Sequence, residues 1–130
     1  MTGKDEIFRI LRNLSLDRTA VRLMQEDVAR IAEDEKQKEL PAAQREALEK
    51  ERVRLESCLA ATANHISRIE RLLGLLSAEE RKVLDETLVN PHPEAVFDLA
   101  EEFGCDASSV YRIRARGIRK LVRLRFGAGE

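Results

Sequence analysis

Between Ala107 and Phe126 the chain carries Arg112, Arg114, Arg116, Arg119, Lys120, Arg123 and Arg125, and not one carboxylate. Guanidinium and ammonium groups are pure donors, and gathered without acids they suit the binding of phosphate oxygens. Just before them stand Ser108, Ser109 and Tyr111. With Arg112, these are side chains of the length and polarity that reach base edges. The charge is concentrated here. Residues 105–130 hold seven cations and two acids, a net +5, so in a chain of net −1 the first 104 residues carry −6. A helix C-terminus favours cations in its last turn, which accounts for two or three of the seven. The pattern implies a basic end that meets a polyanion and an acidic body that meets something else.

To present these residues, Ala107–Arg125 must be a helix, and Asp106 can cap it. Gly104 closes a preceding helix over Glu94–Phe103, with Pro93 suited to its first position. Two helices joined by a short Gly-containing turn fit a helix-turn-helix. Ala100 is the small residue at the helix crossing, Gly104 follows four residues later, and Val110 six after that. Leu99, Phe103, Cys105 and Ile113 fill the other inward positions. With Val110, Ile113, Gly117 and Leu121 turned in, Ser108, Arg112, Ala115, Arg116 and Arg119 face outward. Ala107–Ile118 is then the expected recognition helix, and its first turn enters the major groove. Ser108, Ser109, Tyr111 and Arg112 are the expected base readers. Arg114, Arg116, Arg119 and Lys120 are expected on phosphates.

The remaining chain reads as two long helices. Over Lys4–Glu39, with Ile7 at a, position a holds Ile7, Leu14, Val21 and Val28, and d holds Ile10, Asp17, Met24 and Ile31. Seven apolar seam positions of eight predict a helix; Asp17 either sets register or marks a bend. Pro41 breaks the pattern. A second seam over Ala42–Leu76 uses Leu48, Leu55, Leu59, Thr62, Ile66, Ile69, Leu73 and Leu76. An antiparallel hairpin with arms of about 50 Å follows. One buried stripe per helix leaves it in need of a further partner. Ser77 and Glu80 form a capping box for a short helix, ERKVLDETLV, and NPHP (residues 90–93) is a turn. Nothing alternates with period two. The expected fold is all-α: a helical hairpin, coiled-coil-like, over residues 1–75, a small helix-turn-helix domain over 76–126, and a disordered tail over 127–130.

Charged residues are 36% and aromatics 4%, a composition of long helices and not of a thick-cored enzyme. Cys58 and Cys105 lie far apart and make no CxxC and no disulfide framework, which points to a reducing compartment; each is expected as a structural thiol, Cys58 partly buried and Cys105 packed in the turn. His65 and His92 have no ligands at metal spacing. There is no Gly-rich phosphate loop and no catalytic constellation. A non-enzyme with no cofactor and no metal is expected. No signal peptide or apolar span is visible, which points to the cytoplasm and away from the membrane.

EAVFDLAEEFGCDASSVYRIRARGIRKL, residues 94–121, resembles region four of bacterial primary sigma factors, the helix-turn-helix that reads the −35 promoter element. LSAEERKVL, residues 76–84, is similar to the start of that region, and the resemblance spans roughly residues 75–124. Primary sigma factors carry Arg-Glu-Arg readers where this chain has Ala107, Ser108 and Tyr111, and Glu where it has Arg114. The −35 specificity therefore does not carry over, and no region two is present. VYRIRARGIRKL resembles small phage-type regulators of the ArpU/RinA group. The resemblance implies a transcriptional regulator of phage or prophage type. Its expected partners are double-stranded DNA, RNA polymerase, and a second copy through the N-terminal helices. Two other readings stay open: an adaptor or anti-sigma-like factor that binds polymerase without DNA, and a DNA-packaging recognition subunit.

Overall fold

Pro41, Ser77, the Asn90–Pro93 turn and Gly104 interrupt helical periodicity, and the computed structural model, which describes residues 2–127, breaks at each of them. The elements are α1 (Gly3–Glu35), α2 (Ala42–Leu73), α3 (Ala78–Leu84) with a π-helical turn at Asp85–Val89, α4 (Ala95–Phe103) and α5 (Ala107–Phe126). Among the described residues there is no strand, and the fold is all-α. Of the tail expected to be disordered, residues 128–130 lie outside the described residues.

The long helices α1 and α2 pack against each other. Thr2 Oγ1 accepts from the Asp5 N–H at 3.1 Å and starts α1. At its other end the last carbonyls of α1 have no intrahelical partner. Arg45 supplies one from α2, donating to the Glu35 carbonyl at 2.5 Å and the Gln37 carbonyl at 2.7 Å. The first helix thus stops at Glu35, four residues before the expected Glu39.

The chain forms two compact units, Leu16–Ser67 and a second built from Met1–Ser15 with Arg68–Glu130. In the first, the seam residues Val21, Met24, Val28, Leu48, Leu55, Leu59, Thr62 and Ile66 are half-buried, and Ile31 is its buried apolar side chain among the described residues. Two helices with one apolar stripe each enclose no more than this. Asp17 Oδ2 faces His65 Nε2 at 3.9 Å. Arg52 bridges Glu35 at 2.6 Å and Glu56 at 2.8 Å. Cys58 is exposed, not partly buried as its place beside the seam suggested.

The second unit holds most of the buried core. Ile7, Ile10, Leu11 and Leu14 of α1 are buried in it, as are Ile69 and Leu73 of α2. The contacts therefore divide the chain elsewhere than at the expected boundary after residue 75. The cause lies in the width of the stripe. Ile7, Ile10, Leu11 and Leu14 follow the i, i+3, i+4, i+7 spacing of a globular helix, whereas beyond Leu14 the seam narrows to a and d. Around Val83, Leu99, Ala100 and Val110 a further core gathers Val96, Phe103, Cys105 and Ile113. Leu99, Ala100, Phe103, Cys105, Val110 and Ile113 are inward positions expected of a helix-turn-helix, Val83 and Val96 join them, and α3 and α4 both pack on α5. Gly117 lets α3 approach closely: a Cβ there would stand 3.2 Å from Leu84 Cδ1. At the turn, Gly104 has φ 65° and ψ 38°, the Cys105 N–H donates to the Ala100 carbonyl at 2.9 Å, and the Gly104 N–H to Glu101 at 3.2 Å. This is a Schellman ending, which needs a left-handed residue and favours glycine.

The helix expected over residues 80–89 does not stay α-helical. Past Leu84 it widens to π, and the Asn90 N–H reaches the Asp85 carbonyl at 2.7 Å. Thr87 Oγ1 donates to the Val83 carbonyl at 2.6 Å, which offers that carbonyl a side-chain partner where the backbone bond shifts.

Candidate functional site

Asp106 fixes the first turn of α5. Its Oδ1 accepts from the Ser109 N–H at 2.8 Å and the Ser108 hydroxyl at 2.9 Å. Hydrogen bonds from Ser109, then Ser108, together with the nearby Arg112 charge, hold its carboxyl down at about 2. Ser109 Oγ in turn accepts from Arg112 Nη2 at 2.8 Å. The guanidinium of Arg112 is exposed and keeps its other donors for an outside acceptor. Tyr111, 52% exposed, stands beside it. Ser108, Arg112, Ala115, Arg116 and Arg119, the outward positions expected from helical spacing, are all exposed; Tyr111 is exposed with them, and Ser109 is half-buried.

Two of the expected phosphate ligands are held from within. Arg116 Nε donates to Glu80 Oε2 at 2.8 Å, and Lys120 Nζ to Glu80 Oε1 at 2.9 Å. Glu80 is 0% exposed. It also accepts the Ser77 N–H at 2.9 Å, and its own N–H donates to Ser77 Oγ at 3.1 Å, which completes the capping box of α3. Burial pushes the Glu80 carboxyl up, but the Ser77 N–H, Lys120, Arg116 and the Ser77 hydroxyl outweigh it and hold the group at about 2. The carboxylate therefore stays charged and ties the middle of α5 to the start of α3. Arg116 and Lys120 side chains remain about half exposed, at 52% and 48%, so each presents part of its surface outward.

Arg114 points elsewhere. It is half-buried, with its guanidinium carbon 5.4 Å from the centre of the Phe8 ring of α1. Burial, followed by the like charge of Arg12, lowers its pKa. Lys4 Nζ and Arg12 Cζ lie 5.9 Å and 5.3 Å from the same ring. Between the start of α1 and the second half of α5 runs an open groove of about 740 Å³, floored by Phe8, Ile118 and Val122 and edged by Lys4, Arg119 and Arg123.

Of the eight residues expected to contact a polyanion, Ser108, Tyr111, Arg112 and Arg119 share one exposed face. Arg114, Arg116 and Lys120 each have an internal contact. Sequence reasoning did not find Lys4, Phe8 and Arg12 as neighbours of α5. Their spacing, four residues apart on one side of α1 and off the a/d seam, was the available signal. It also gave Glu80 a capping role only. His92 Nε2 lies 3.1 Å from Glu86 Oε1 in the turn before α4. Among the described residues no group of three or more His, Cys, Asp or Glu side chains is placed to hold a metal ion. No described helix is long and apolar enough to cross a membrane. Comparison of the chain with family models, with curated proteins and with solved structures returns no match.

Proposed function

We propose that the protein is a DNA-binding transcriptional regulator that reads duplex DNA with α5. The observation that carries this reading is the α4–Gly104–α5 unit. Its inward positions are filled as a helix-turn-helix requires, and its outward helix presents Ser108, Tyr111, Arg112 and Arg119 with no acid between Ala107 and Phe126. Ser108, Ser109, Tyr111 and Arg112 read bases from the first turns of the helix. Arg112, steadied by Ser109, is suited to the paired acceptors of a guanine. Arg119 holds phosphate directly. Arg114, Arg116 and Lys120 add positive field from partly covered positions. The likeness of residues 75–124 to sigma region four supports the same reading, as does the similarity to small phage-type regulators.

The hairpin Leu16–Ser67, with its half-buried seam and exposed Leu16, Leu23 and Val53, serves as the contact for a second copy or for RNA polymerase. The protein then works in the cytoplasm on its own or its host's promoters. A second reading is favoured by the internal contacts of Arg116 and Lys120 with Glu80: an adaptor that binds polymerase and leaves DNA alone. Selection from a randomised duplex pool with the full chain separates them. Enrichment of one sequence, lost on Arg112→Ala, is expected of a regulator. A pool that emerges unselected from the unaltered protein refutes it.

A further inference from the structure

Lys4, Phe8 and Arg12 come one helical turn after another on the same side of α1, and Arg114 of α5 closes on the ring from across. Three cations thus share one aromatic ring as their common neighbour. A carboxylate would be the ordinary counterion for such a group. Of the nearby acids, the Asp5 carboxylate accepts from the Thr2 N–H at 3.4 Å, and Glu6 pairs with Arg9 and Arg125. Arg114 is half-buried and sits close enough to Arg12 to feel its like charge. Mutually repelling cations held around one ring face by two helices outnumber the single carboxylate there, that of Asp5, which lines a cleft with Phe8 and Arg12, and so make a receptor for an anion from outside. The groove beside the cluster continues the same character, with Arg119 and Arg123 at its edge.

We infer that Lys4, Arg12 and Arg114 around Phe8 form a second phosphate-binding site, through which the start of α1 grips the DNA backbone beside the groove that α5 enters. The inference rests on the reading of α5 as a DNA-contacting helix and extends the interface to a helix that sequence reasoning reserved for partner contacts. Lys4 and Arg12 lie eight residues apart, about 12 Å along α1, so they address more than one phosphate of a strand. The ligand chemistry is the phosphodiester, recognised by charge and not by sequence.

The test is a salt titration of duplex affinity by the full chain, comparing the unaltered protein with Lys4→Ala/Arg12→Ala and with Arg30→Ala/Lys36→Ala. The last pair removes the same charge from the other unit, where both side chains are exposed. Circular dichroism confirms that the helices are retained. If Lys4 and Arg12 each hold a phosphate, the slope of log affinity against log salt falls by about 1.8 in the first variant, at about 0.9 per contact. The control leaves it unchanged, and the preferred sequence stays the same in both. An unchanged slope in Lys4→Ala/Arg12→Ala, or an equal loss in the control, overturns the site while leaving the reading of α5 standing. Absence of duplex binding by the unaltered protein overturns that reading, and this site with it.

Discussion

Replacing Glu80 by Gln keeps the shape of the side chain and removes its charge. The amide can still accept from Ser77, but it cannot offer both Arg116 and Lys120 a charged partner. The carboxyl is held at about 2. Against an ordinary glutamate near 4.3, that gap corresponds to about 3 kcal/mol of stability. Arg116 and Lys120 are about half exposed, so water weakens each pair, and about 2–3 kcal/mol is the expected loss. Because the folded pKa is depressed, this contribution is present above pH ~4.3 and disappears as pH falls toward 2. Urea unfolding followed by circular dichroism, with hydrogen exchange over α3 and α5 to locate the change, should find the variant weaker at pH 7. The gap to the unaltered protein should shrink at pH 2.5. A Glu80→Gln protein within about 0.5 kcal/mol of the original at pH 7 would refute the view that Glu80 pins α5. So would a difference that is the same at both pH values.

Gly104→Ala forces a side chain into a left-handed position with φ 65°, and about 1–2 kcal/mol of stability should be lost in urea unfolding although no atom lies in the way. Asp106→Ala removes the cap of α5 and the anchor of Ser108; about 1 kcal/mol is the expected loss, and hydrogen exchange should rise in the first turn of the helix. Arg45→Ala leaves the Glu35 and Gln37 carbonyls without their side-chain donor and should cost about 1 kcal/mol, with faster exchange at the end of α1.

The helix-turn-helix was legible because its signals are local. Ala100, Gly104, Asp106 and Val110 each act within a few residues, through a close crossing, a positive φ, a cap and an inward side chain. The break at Pro41 and the capping box at Ser77 were local as well. The contacts of Glu80 with Arg116 and Lys120 span 36 and 40 residues, and no periodicity on either helix announces them. The gathering of Lys4, Phe8 and Arg12 near Arg114 is more remote still. Leu11 gave a hint that was readable in principle: it widens the first stripe of α1 beyond a and d and draws that segment into a broader core. The π turn depends on the competition for one carbonyl at Val83, which composition does not reveal.

The choice of basic residues for mutation changes with the structure. Arg116 is tied to Glu80, so altering it disturbs the packing of α5 on α3 as well as any outside contact. Arg112 and Arg119 are exposed on the outward face. Affinity of the full chain for fluorescent duplexes, including the DNA upstream of its own coding region and a scrambled control, should be measured across salt beside Arg112→Glu/Arg119→Glu. If the protein is a DNA reader, its unaltered form binds with steep salt dependence and prefers one duplex; the variant loses that preference with Arg112 and about one counterion's worth of slope with Arg119. No binding at low salt, or identical curves for the two proteins, would contradict DNA recognition by α5.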